Sequence, residues 1–66
     1  MTLADLLEAL LEETDTISLE ISRSDIIQIV ASDRYGETVD GRGATMDKAL
    51  QKFTENAEEY VLERQN

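Results

Sequence analysis

The spacing of apolar residues along this chain changes twice, and each change marks a new element. Residues 2–13 carry Leu3, Leu6, Leu7, Leu10 and Leu11 at three- and four-residue intervals, with Asp5, Glu8 and Glu12 between them. That is one apolar face of a helix. Thr2 is a suitable N-cap, and Asp5 three residues on completes a capping box with Asp in place of Glu. At Thr14-Asp15 the pattern breaks. Ile17, Leu19 and Ile21 then alternate with Ser18, Glu20 and Ser22, the period of a half-buried strand. Arg23-Ser24-Asp25 is expected as a three-residue hairpin turn, followed by a second strand over residues 26–32. This loop sets Ile21 against Ile27, Leu19 against Ile29 and Ile17 against Ala31, so apolar residues meet on one face. A two-residue loop would set Ile21 against Gln28 and exchange the faces. The favoured register leaves Ile26 and Val30 on the outer face of the sheet.

Asp33-Arg34-Tyr35-Gly36 is expected as the next turn, and residues 37–42 as a weaker third strand at an edge, because glycines weaken pairing. Gly41-Arg42-Gly43-Ala44 is expected to turn into the longest periodic stretch. There Thr45 can cap, Asp47 suits the positive end of a helix dipole, and Met46, Ala49, Leu50, Phe53, Ala57, Tyr60 and Val61 form a stripe. Such a helix of roughly 20 residues spans about 30 Å, enough to cross a small sheet. The prediction is an α+β fold, ordered α-β-β-β-α. A small antiparallel meander has both helices packed on one face, over Ile17, Leu19, Ile21, Ile27 and Ile29. Residues 1–66 are expected to form a single domain.

Composition narrows the function. With 66 residues and no cysteine or histidine, the chain has no disulfide staple, no thiol or imidazole ligand and no imidazole base. Its serines lack a base to activate them, and its carboxylates are spread without an apolar surround that singles one out. Gly41-Arg42-Gly43 lacks the third glycine of a dinucleotide loop, where Met46 stands, and no Gly-Lys-Ser/Thr follows. Asp40, Asp47 and Glu37 are too sparse for a calcium loop. The expectation is a protein that is not an enzyme and takes no cofactor or metal.

Charge suggests a partner. Six basic against 15 acidic residues give a net charge of −9. Direct binding to nucleic acid depends on Lys and Arg displacing counterions, so it is not expected, and neither is an anionic membrane. A basic protein surface is the natural complement. Glu55, Glu59 and Glu63 recur every fourth residue with Glu58 beside them, and Glu8 and Glu12 repeat the pattern. Like-charge i,i+4 pairs oppose helix formation, and acids near a helix C-terminus oppose its dipole. Folding does not require these rows, so they are candidate partner-binding residues. Ile26 and Val30 are the candidates for self-association, a homodimer or target docking through the outer sheet face. The chain shows neither a leader-like basic N-terminus nor a membrane-length apolar run, so a cytoplasmic location is expected.

Two resemblances extend this reading. Gly43-Ala44-Thr45-Met46-Asp47-Lys48-Ala49-Leu50 resembles the strand-to-helix junction of HicB-like antitoxins, with Ala44 in place of the usual acid and Lys48 where Glu is typical. That resemblance implies a strands-then-helix core without a DNA-binding extension. In size, charge and α/β layout the chain is similar to small acidic phage proteins, notably anti-CRISPR inhibitors. This second resemblance implies a phage-encoded inhibitor that blocks the basic, nucleic-acid-binding surface of a host defence complex such as a CRISPR effector. The alternative is a HicB-like antitoxin or a dimeric scaffold module acting through its sheet.

Overall fold

A computed structural model describes residues 2–65. Its elements are α1 (Leu3–Glu13), β1 (Thr16–Arg23), β2 (Ile27–Asp33), β3 (Thr38–Gly43) and α2 (Met46–Gln65). The order is the expected α-β-β-β-α, and the three strands form an antiparallel meander, β1-β2-β3. Local chemistry sets the helix starts. The Thr2 hydroxyl accepts from the Asp5 N–H at 3.1 Å, and the Asp5 carboxylate accepts from the Thr2 N–H at 3.4 Å. This is the reciprocal capping box. At α2 the Thr45 hydroxyl accepts from the Lys48 N–H at 3.3 Å.

The β1–β2 hairpin departs from the expected register. The loop has three residues, but they are Ser24, Asp25 and Ile26, and β1 runs on through Arg23. Ile21 therefore faces Ile29, Leu19 faces Ala31, and Arg23 faces Ile27. A slip of two residues keeps every side chain on its face, so the alternation of apolar residues could not tell the two registers apart. The consequence falls on Ile26, which lies in the turn and not on the outer face of β2. Ile17 has no cross-strand partner either, because the register shifts between Thr16 and Ser18. Such a bulge turns Thr16 inward. There its hydroxyl lies 2.7 Å from that of Thr14, which donates to the Leu10 carbonyl at 2.6 Å.

Gly41 and Gly43 belong to β3, not to a turn, and their role is proximity. A Cβ on Gly41 would overlap the backbone of Phe53 and lie 2.6 Å from the Ala49 carbonyl oxygen. A Cβ on Gly43 would lie 2.5 Å from the Ala49 nitrogen. Two bare positions on one face of β3 let α2 rest on the strand backbone. Phe53, Ala57 and Val61 then reach the core, which they share with Ala49, Leu6, Leu10, Ile29 and Ala31.

This seating decides what the helices cover. α2 lies mainly over β3 and partly over β2, while α1 packs chiefly beside α2 and only lightly on β1. The expected cover over the whole apolar face is therefore incomplete. Ile29 is buried and Ile27 half-buried, but Ile17, Leu19 and Ile21 are 65, 47 and 59 % exposed. Leu7, placed on the α1 core stripe, is half-buried at the margin of this opening.

Candidate interaction surfaces

Three features outside the apolar core could meet a partner: the acidic flank of α2, a polar cluster joining α2 to the β2–β3 turn, and the uncovered side of β1. The α2 flank follows from helix geometry. Residues four apart on a helix rise about 6 Å and stay on one side. Glu55, Glu59 and Glu63 form such a line and all three are exposed, whereas Glu58 is half-buried. Among the described residues Glu58, Glu59 and Glu63 make no ion pair, and Glu55 meets only Lys52, at 3.9 Å between exposed side chains. A pair of that kind contributes little.

Several basic residues are engaged in the chain's own contacts. Arg42 pairs with Asp40 at 3.2 Å, and Arg64 pairs with Glu37 at 2.6 Å and with Asp33 at 3.4 Å. Arg42, Lys48 and Lys52 also border a shallow hollow of about 290 Å³, with Glu55 on its rim. Glu8 and Glu12 are exposed on α1, on the side away from buried Leu6 and Leu10. They belong to a different helix from the Glu55 row, so the acidic candidates form two rows and not one.

The polar cluster centres on Asp33. Its side chain is 1 % exposed, a carboxylate singled out by its surroundings although the sequence suggested none. One oxygen accepts from the backbone N–H groups of Tyr35 and Glu37, both at 2.9 Å, and shapes the turn between β2 and β3. The other accepts from the Tyr60 hydroxyl at 2.8 Å and lies 3.4 Å from the Arg64 guanidinium. Burial by itself would raise the Asp33 pKa. The Tyr60 hydroxyl, the two N–H groups and Arg64 outweigh burial and hold the carboxyl below its ordinary value. Burial and the charged Asp33 push the Tyr60 hydroxyl up. Arg64 also lies over the Tyr60 ring, 5.4 Å from its centroid. The arrangement is saturated, and its chemistry is that of a clamp between α2 and the turn.

Beside β1 the surface is apolar. Leu7, Leu10 and Leu11 of α1 face Ile17, Leu19 and Ala31 across a groove of about 230 Å³ with no ionisable side chain in its lining. Leu11 is 63 % exposed. β1 is also an edge strand, so the groove adjoins a free backbone edge. The alternation of Ile17, Leu19 and Ile21 was visible in the sequence and correctly predicted a strand. It carried no mark of which strand the helices would leave uncovered. The outer face of the sheet is different. Val30 is half-buried between Glu20 and Asp40, and Asp40 accepts from Gln28 at 3.2 Å and from Arg42 at 3.2 Å. With Ile26 in the turn, the two residues do not form one patch.

Among the described residues no group of three or more acidic side chains is placed to hold a metal ion, and no helix is long and apolar enough to cross a membrane. The fold and surfaces define the class, a small α+β protein with a three-stranded meander under two helices. No protein-family model, curated protein or solved structure matches the chain.

Proposed function

We propose that this protein is a binding protein, not an enzyme, and that it inhibits its partner by covering a basic surface used for nucleic acid. The observation that carries the reading is the α2 flank. Glu55, Glu59 and Glu63 stand exposed at about 6 Å intervals on a helix whose C-terminal basic residue, Arg64, is turned inward to Asp33 and Glu37. Carboxylates so presented compete with phosphates for Lys and Arg. Glu58 would widen the contact, and Glu8 and Glu12 on α1 would offer a second, separate row. The finer form of the proposal is a phage-encoded block of a host defence complex such as a CRISPR effector, acting in the cytoplasm of a bacterial host. Size, charge and layout support that form.

The test is competition. A guide-loaded CRISPR effector is incubated with labelled target DNA and increasing protein. Wild type should displace the DNA, less effectively as salt rises, and a Glu55→Lys/Glu59→Lys/Glu63→Lys variant should not. A folded triple variant that inhibits as well as wild type would remove this row from the interface. A second reading, an antitoxin-like or dimeric scaffold module acting through its sheet, draws support from the uncovered face of β1.

A further inference from the structure

We infer that the open side of β1 is the docking surface for a second copy of this chain, the two β1 strands pairing antiparallel about Leu19. The inference is independent of what the acidic row binds. It starts from what the open side contains. Leu11 of α1 and Ile17, Leu19 and Ile21 of β1 are all exposed there, beside a free strand edge. An edge of eight residues with apolar side chains on one face invites pairing, and native proteins that keep such edges single guard them with charge, proline or bulges. β1 has only Glu20 and Arg23 as charged residues, and its bulge lies at its first residues.

The pattern along β1 selects a second copy as the occupant, because it reads the same in both directions. Centred on Leu19, an antiparallel pair sets Leu19 against the second copy's Leu19 and Ser18 against Glu20, and brings Ile21 beside Ile17 at the bulge. Each apolar residue meets another on the inner face. Centring on Glu20 would set two carboxylates directly opposite, which is destabilising. A one-residue offset would set apolar against polar residues. Charge supports the same register. It brings the Arg23 end of each strand to the Asp15 end of the other, and neither residue makes an ion pair within the chain among the described residues. The net charge of −9 opposes association at long range, but at physiological salt that repulsion is screened beyond about 8 Å.

Pairing would make a six-stranded sheet and bring the two α1 helices together above the joined strands. Leu7 and Leu11 of each copy would then close the groove over β1. α2 packs on β3 at the other edge, so the Glu55 rows would remain outward at both ends of the dimer.

The chain lacks cysteine, so one introduced thiol reports on the register. Wild type should sediment with the mass of a dimer at micromolar concentration. Leu19→Cys should oxidise to a covalent dimer, whereas Ser18→Cys, whose neighbour across the axis is Glu20, should not. Leu19→Arg places like charges opposite each other and should weaken association by about tenfold or more, with the helical circular dichroism of wild type. A wild type with monomer mass up to millimolar concentration would overturn the inference and leave the groove to a different partner. Equal cross-linking of Ser18→Cys and Leu19→Cys would also overturn it. If Leu19→Arg fails to fold, the two cysteine variants decide.

Discussion

The Tyr60 hydroxyl donates to Oδ2 of Asp33 at 2.8 Å, joining the last turns of α2 to the end of β2. Their separation of 27 residues makes this a long-range tie. Tyr60→Phe removes the donor and keeps the ring. The hydroxyl also accepts from Arg64 at 3.2 Å, and its own acceptor is a charged carboxylate, so the expected cost is about 1–3 kcal/mol, measured by urea unfolding. Fraying should be confined to the end of α2, seen as faster amide exchange there and unchanged exchange around Ala49.

The same cluster predicts a pH dependence. Asp33 has its folded-state pKa held below 3.8. A depressed carboxyl contributes stability that is complete above its unfolded pKa, near ~3.9, and is lost as pH falls through the folded value. Wild type should therefore lose stability on acidification below about pH 4 more steeply than Asp33→Asn. The gap between the two should narrow as the wild-type carboxyl takes up its proton. Parallel curves in urea titrations across that range would contradict the assignment.

Gly41 should be the least replaceable residue of β3. In Gly41→Ala the new methyl meets the Phe53 backbone and the Ala49 carbonyl, none of which can swing aside. Overpacking of this kind costs about 1–3 kcal/mol or more, a large part of the stability of a small domain. Gly36→Ala tests a different physics. Nothing lies within 4 Å of the added carbon, but φ is +88°, so only backbone strain opposes it. Thermal melts should show a clearly larger loss for Gly41→Ala.

Core truncations should separate the buried leucines from the groove. Phe53→Ala and Leu6→Ala remove fully buried side chains and should cost about 2–5 kcal/mol. Leu7→Ala, at the margin of the groove, should cost less. Equal losses would mean that the groove is filled in solution by something other than water.

The acidic row should trade stability against binding. Glu59→Lys and Glu63→Lys replace carboxylates near the C-terminus of α2, where cations are favoured, and relieve like-charge neighbours. Each should hold or raise the melting temperature, by a few tenths of a kcal/mol in stability. A rise accompanied by weaker partner binding would assign the row to function. A fall would point to structural contacts of these residues.

The sequence by itself determined the elements, because each rests on neighbours a few residues apart. The Thr2/Asp5 box, the Thr45 cap, the 3.6-residue stripe of α2 and the two-residue alternation of β1 and β2 are local signals, and the α-β-β-β-α order followed from them. The acidic rows were legible for the same reason, since i,i+4 spacing on a helix needs no tertiary information. The hairpin register was decided only by the folded chain. A slip of two residues leaves every face unchanged, so the alternation could not place Ile26 in the turn. Tertiary structure also decided the buried Asp33, which joins Tyr60 and Arg64 from the far end of the chain. It decided the open side of β1 as well. The glycines of β3 let α2 settle directly on that strand, α1 follows α2, and two helices so placed do not reach over Leu19 and Ile21. Which apolar face stays uncovered depends on how closely two backbones can approach, and that distance is set by Gly41 and Gly43, some 20 residues from the strand it exposes.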